Sequence, residues 1–103
     1  MTDCKSLEEV RENVDRIDRE IVKLISERSS YVGQAARFKK TTDDVKAPDR
    51  VEHVITTRRS YAKEIGLDPD MIERIYRTII SCFIEQELKE HESKMRKYND
   101  ARN

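Results

Sequence analysis

Two cations interrupt an apolar helical stripe in the first third of the chain. Ile17, Ile21, Leu24, Val32 and Ala35 recur at three- and four-residue steps, and Arg28 and Lys39 fall on the same stripe. Charged groups on an inward face need a partner or an anion. Eleven residues separate the two cations, which is three helical turns, a small angular offset and about 16 Å of rise. Their side chains are long enough to converge on something between them. The competing reading is that Arg28 pairs with a buried carboxylate while Lys39 runs out to solvent at the helix end. Glu87 is the third anomaly, seven residues after Ile80 and four after Phe83, on the stripe of a later helix. On such a face it is ion-paired or protonated by desolvation, unless the stripe has already ended and the residue is solvated. Arg11 lies roughly 100° round the helix from Arg28 and about 25 Å along it. To serve one small ligand with Arg28, it would have to come from a second subunit. Arg50 opens the next helix, close to where Lys39 ends the first. Each of these two arginines, taken alone, reads more readily as a surface residue.

Taken together these residues describe a pocket with several cations, one acidic or protonated group and apolar walls. It has no strong nucleophile and no evident free base. Such a site suits a small dianion whose reaction needs shape and electrostatics rather than covalent chemistry. His53 and His91 have no partner at a metal-ligand spacing, so no metal site is expected. The chain has neither a glycine-rich phosphate loop nor a nucleophile elbow.

The elements that must position these residues are helices. Ser6 and Glu9 form the S-x-x-E signature of a helix start. The stripe Leu7, Val10, Val14, Ile17, Ile21, Leu24, Val32, Ala35 then predicts a first helix over about 7–40, with Gly33 costing about 1 kcal/mol in its interior. A helix of about 34 residues is about 50 Å long. A compact domain of this size has a radius of gyration of roughly 13 Å, so part of that helix calls for a partner from another chain. KTTDDVKAP reads as a loop over 41–48, with Ala47 pushed away from helix by Pro48. A loop joining two site-bearing helices is expected to act as a lid. A second helix is predicted over about 49–65, stopped by Gly66. A third follows over about 69–95, with Asp68 as N-cap and Pro69 in the first helical position. It carries Ile72, Tyr76, Ile80 and Phe83 on one stripe, and its polar tail is expected to fray. The fold class is all-α, one domain over 1–103, with three helices in long–short–long order.

Composition agrees. Charged residues make up 41% of the 103 residues, with two Gly and two Pro, as expected for helices with solvated outer faces. Lys plus Arg and Asp plus Glu are both 21, which argues against nucleic-acid binding through bulk charge. Cys4 and Cys82 form no metal-ligand spacing and read as free thiols in a reducing compartment. The N-terminus has no apolar signal region and no run reaches membrane-span length, so a cytoplasmic location is expected.

The collinear set EEVRENVDRIDREIVKLISERSSYVGQAARFK, APDRV, a GLD junction and IIS followed by EQE resembles the all-helical chorismate mutases. It is most similar to their isochorismate pyruvate lyase branch, including the DC near the N-terminus and the loop length between Lys39 and Arg50. The resemblance spans about residues 3–95. It implies an intertwined homodimer and a cofactor-free pericyclic reaction on a cyclohexadiene dicarboxylate. Arg28 matches the arginine that binds a substrate carboxylate, and Arg11 the one donated by the partner subunit. Lys39 matches the lysine at the carboxylate and ether oxygen, and Arg50 the second-helix arginine near the site. Val32, Ala35, Ile80 and Phe83 would supply the pocket wall.

Two departures bear on the reaction. The mutases typically carry an acidic pair at the start of the second helix that holds the ring hydroxyl; Ala47 and Val51 occupy those positions. The lyase branch lacks the pair too, which favours isochorismate. An unpaired hydroxyl costs about 1–3 kcal/mol, a bias rather than a bar. Glu87 stands where the bacterial residue is usually a glutamine that donates to the ether oxygen. A protonated Glu could donate in the same way, so activity is expected to fall as rising pH ionises it. The leading expectation is elimination of pyruvate from isochorismate to give salicylate. The alternatives are rearrangement of chorismate to prephenate, as in aromatic amino acid biosynthesis, and a non-catalytic or regulatory helical dimer.

Overall fold

The computed structural model describes residues 3–102, apart from the side chains of 95, 98 and 102. Three long helices and one short one follow in chain order: α1 Leu7–Ala36, α2 Thr42–Lys46, α3 Pro48–Glu64 and α4 Pro69–Arg102. The described residues contain no strand, and none of their helices is long and apolar enough to cross a membrane. The chain divides into two compact units, Met1–Gln34 and Ala35–Asn103.

In the first unit, α1 begins as its capping signature predicts. The Glu9 amide donates to Ser6 Oγ at 3.1 Å. The Glu9 carboxylate reaches one residue further back than in a standard box, accepting from the Lys5 amide at 3.1 Å. None of the 30 residues of α1 is buried. Its apolar stripe stays open to solvent, with Val14 49% exposed and Leu24 61%.

In the second unit the exit from α1 differs from expectation. The helix ends at Ala36 rather than near residue 40, and its last bonds tighten to a three-residue step: Phe38 N to Ala35 O at 3.0 Å and Lys39 N to Ala36 O at 3.2 Å. The segment read as loop 41–48 holds α2. Thr41 and Asp44 form a full capping box, in which the Asp44 carboxylate accepts from the Lys40 and Thr41 amides. Those amides therefore turn to Asp44 instead of extending α1, which is why the long helix stops early. Val45 is buried and anchors α2, which packs on α4.

α3 ends as Gly66 dictates. With φ 82, Gly66 lets Leu67 N reach Ala62 O at 2.9 Å and its own amide reach Lys63 O at 3.3 Å, the two bonds of a Schellman stop. α4 starts at Pro69, with Asp68 Oδ1 accepting from the Asp70 amide at 2.9 Å. The tail expected to fray is helical to Arg102. No Gly or Pro follows Pro69, and Lys, Glu, Met and Arg are strong helix formers that keep a polar helix going.

Every buried residue among those described lies in the second unit. Val54, Ile55 and Ile80 form the centre, flanked by Val51, Tyr76 and Ile84. Each fully buried aliphatic contributes about 1.5–3 kcal/mol, so this is a small core. Ionic contacts add to the α3–α4 seam. Arg59 bonds Asp70 and Glu73, both at 2.9 Å, and Arg77 bonds Glu73 and Glu52. Arg77, and then Arg59, hold the Glu73 carboxyl below its ordinary range. A depressed carboxylate stabilises the fold above its unfolded-state pKa, and that contribution is lost as pH falls through the lowered value.

Ala47 has φ 37 and ψ 62, the left-handed conformation, where it closes α2 and opens α3. It is the sole non-glycine residue with positive φ among those described, at a cost of about 1–2 kcal/mol. Ala47→Gly is expected to leave the urea unfolding midpoint unchanged or raised. Ala47→Val, whose branched carbon tolerates this conformation worst, should cost about 2 kcal/mol. Equal losses in the two variants would contradict the strain.

Candidate functional site

The residue that ends the α1 exit and the acidic anomaly of α4 meet directly. Lys39 Nζ donates to Glu87 Oε2 at 3.0 Å, across 48 positions of sequence. Glu87 is the one polar residue among those described that is buried, at 7% exposure, and the Lys39 side chain is 24% exposed. The reading of Glu87 as a solvated residue past the end of its stripe is thereby excluded. α4 keeps its register from Ile72 through Tyr76, Ile80 and Phe83, and that register turns Glu87 inward.

Two short-range devices deliver Lys39. The tightened turn after Ala36 releases the backbone from α1, and the capping box takes hold of it again at Lys40. The Asp44 carboxyl is held below the usual carboxylate range by the backbone N–H of Lys40 and then that of Thr41. By the sign rule used for Glu73, this clamp is intact at neutral pH and released only in acid. Sequence composition reads TTDD as loop; the T-x-x-D spacing ahead of an apolar residue is the signal that reveals the box.

The remaining candidates divide between the units. Arg11, Arg28 and Val32 lie in the first; Arg11 is exposed, and Arg28 and Val32 are half-buried. Ala35 and Arg50 lie in the second and are exposed, with Arg50 in the first turn of α3. Ala47 and Val51 stand one turn apart, the Val51 amide donating to Ala47 O at 3.0 Å. Val51 packs against the buried cluster, of which Ile80 is a full member. Phe83 is half-buried on α4. Neither Ala47 nor Val51 has a group that could hold a hydroxyl.

A concavity of ≈ 410 Å³ lies elsewhere, around Tyr61, Ile65, Ile72 and Tyr76. Tyr76 is eleven residues before Glu87, about 16 Å along α4. Arg58 is the charged residue on its wall, its guanidinium 5.8 Å from the Tyr76 ring centroid. The volume of this hollow falls in the range of small-molecule sites. The ion pair carries the stronger chemical signal, because burying the Glu87 carboxylate beside a half-buried ammonium is costly and the Val54–Ile55–Ile80 cluster does not require it. Among the described residues no group of three or more His, Cys, Asp or Glu could hold a metal. Cys4 and Cys82 are free and exposed.

The family profile described as chorismate mutase type II matches residues 10–88. An isochorismate pyruvate lyase of Pseudomonas aeruginosa is 38% identical over 87 residues, covering 84% of this chain and 86% of the relative. A chorismate mutase of Methanocaldococcus jannaschii is 29% identical over 97 residues, 90% of this chain and 98% of the relative. A bifunctional chorismate mutase/prephenate dehydratase of Aquifex aeolicus is 32% identical over 89 residues, which is 82% of this chain and 25% of that longer protein.

The pair is testable by a double-mutant cycle of Lys39→Met and Glu87→Leu. Each single change strands one charge and is expected to cost about 2 kcal/mol, with a coupling energy of about 1–3 kcal/mol. A coupling near zero by urea denaturation would remove the interaction.

Proposed function

We propose, from the premise that this chain belongs to the chorismate mutase type II family, that it eliminates pyruvate from isochorismate and leaves salicylate. The observation that carries the reading is the half-buried Lys39–Glu87 pair. It sets a cation and a titratable donor side by side where the reaction needs both. As the C–O bond breaks, negative charge grows on the ether oxygen. Lys39 stabilises that charge, and Glu87 in its protonated form donates a hydrogen bond to it. When the dicarboxylate enters, Lys39 turns from Glu87 to the substrate. Arg28, Arg50 and Arg11 from a second copy clamp the carboxylates. Val32, Ala35, Ile80 and Phe83 shape the wall, and no cofactor takes part.

The choice of isochorismate rests on Ala47 and Val51. A chorismate hydroxyl left without a partner there is disfavoured by about 1–3 kcal/mol. The relative in M. jannaschii that carries the name chorismate mutase supports a second reading, in which the same site rearranges chorismate to prephenate. Incubation of the purified protein with each compound separates the two. We expect salicylate and pyruvate from isochorismate, with kcat/KM exceeding that for chorismate by tenfold or more. More efficient prephenate formation would reverse the assignment, and no turnover of either would leave a non-catalytic dimer. Activity on isochorismate should decline as pH rises, and Glu87→Gln should flatten the profile. An unchanged profile would take Glu87 out of the reaction.

The homodimer is supported by α1. Val10, Val14, Ile17, Ile21 and Leu24 are each more than 40% exposed, and a stripe of that length left in water is unfavourable by about 25 cal/mol per Å². A second copy covers it. Sedimentation should give a dimer. Ile17→Asp with Ile21→Asp should give a monomer that lacks turnover, because Arg11 no longer reaches a partner's site. A fully active monomer would contradict the shared site.

A further inference from the structure

Asp44 stands apart from the groups discussed as touching substrate, yet it determines where one of them is. One carboxylate oxygen, Oδ2, accepts from the Lys40 amide at 3.0 Å and from the Thr41 amide at 3.1 Å. The Asp44 amide donates back to Thr41 Oγ1 at 3.1 Å. The residue before this clamp is Lys39, whose own amide is tied to Ala36 O. The backbone at Lys39 is thus fixed on both sides within two residues, by the end of α1 and by the Asp44 carboxylate. Behind the clamp, Val45 is 4% exposed and seats the segment, and Ala47 is held left-handed. A lysine has four rotatable side-chain bonds, so its ammonium is well placed only if its backbone is.

We propose that Asp44 is a positioning residue for Lys39. Through its two backbone hydrogen bonds it holds the Lys39 ammonium at Glu87, where the ether oxygen of the substrate is to be met. The proposal rests on the functional reading above and adds to it a residue outside the pocket. The role belongs to the carbonyl-type acceptor rather than to the charge, since a single oxygen receives both bonds. Asparagine can supply that oxygen and alanine cannot.

The test uses the full chain with Asp44→Asn and Asp44→Ala and has two readouts. The first is turnover of isochorismate. Asp44→Ala should lower kcat about tenfold with a smaller change in KM, as for a misplaced transition-state contact, and Asp44→Asn should stay within about threefold of the parent on the same grounds. The second readout does not depend on the reaction: acetic anhydride labelling of each lysine, quantified by mass spectrometry. Lys39 should label severalfold faster in Asp44→Ala than in the parent, as its ammonium leaves Glu87, with Lys63, at the far end of α3 from Ala47, unchanged. In Asp44→Asn it should label as in the parent. Unchanged Lys39 labelling in Asp44→Ala, or equal effects of the Asn and Ala variants, overturns the proposal. A parent that turns over neither substrate overturns the functional reading instead, and the labelling then decides the positioning role alone.

Discussion

The half-buried contact between Lys39 and Glu87 is the constraint around which the second unit is arranged. Removing a carboxylate and an ammonium from water is costly, and their attraction offsets that cost only with good geometry. The geometry here needs three things. α4 must hold its register from the core residue Ile80 to Glu87. The α1 exit must end in time to free Lys39. The chain after Lys39 must be pinned so that the side chain does not wander. Each condition traces to particular residues: the Ile72–Tyr76–Ile80–Phe83 stripe, the tightened turn over Ala35–Lys39, and the Thr41–Asp44 box with Val45 buried behind it.

Much of this was legible in the sequence because the governing signals are local. Ser6, Asp68, Pro69 and Gly66 act within a few residues of themselves, and their helix boundaries appear where their chemistry places them. The inward position of Glu87 follows from the spacing to Ile80. What the pattern misjudged was competition. KTTDDVKAP holds residues that favour both loops and caps, and only the T-x-x-D spacing distinguishes the two. Once Asp44 takes the Lys40 and Thr41 amides, α1 stops at Ala36 and α2 forms. The tail after Leu88 was misjudged in the opposite direction. It lacks an apolar stripe long enough to suggest burial, yet nothing in it breaks a helix. The pairing of Lys39 with Glu87 was not readable from either stripe alone, since the two stand 48 positions apart.

The two units differ in how complete they are. The second has its own small core, a capped and anchored α2, and ion pairs along the α3–α4 seam. The first is a helix whose apolar residues have no buried position. The proposed homodimer would account for that asymmetry, because a helix covered by another copy can also carry Arg11 to it. Ala47 and Val51, one turn apart, present no polar side-chain group at the start of α3, and the proposed preference for isochorismate rests on that.

The proposed function has the Lys39–Glu87 contact open when a dicarboxylate arrives, with the Lys39 ammonium turning to the ligand. Calorimetric titration of the parent, Lys39→Met and Glu87→Gln with a non-reactive cyclic dicarboxylate analogue tests this most directly. The expected result is binding at least about tenfold weaker in Lys39→Met and no weaker in Glu87→Gln, since only the first loses a contact to the anion. Equal affinity in the parent and Lys39→Met would contradict it.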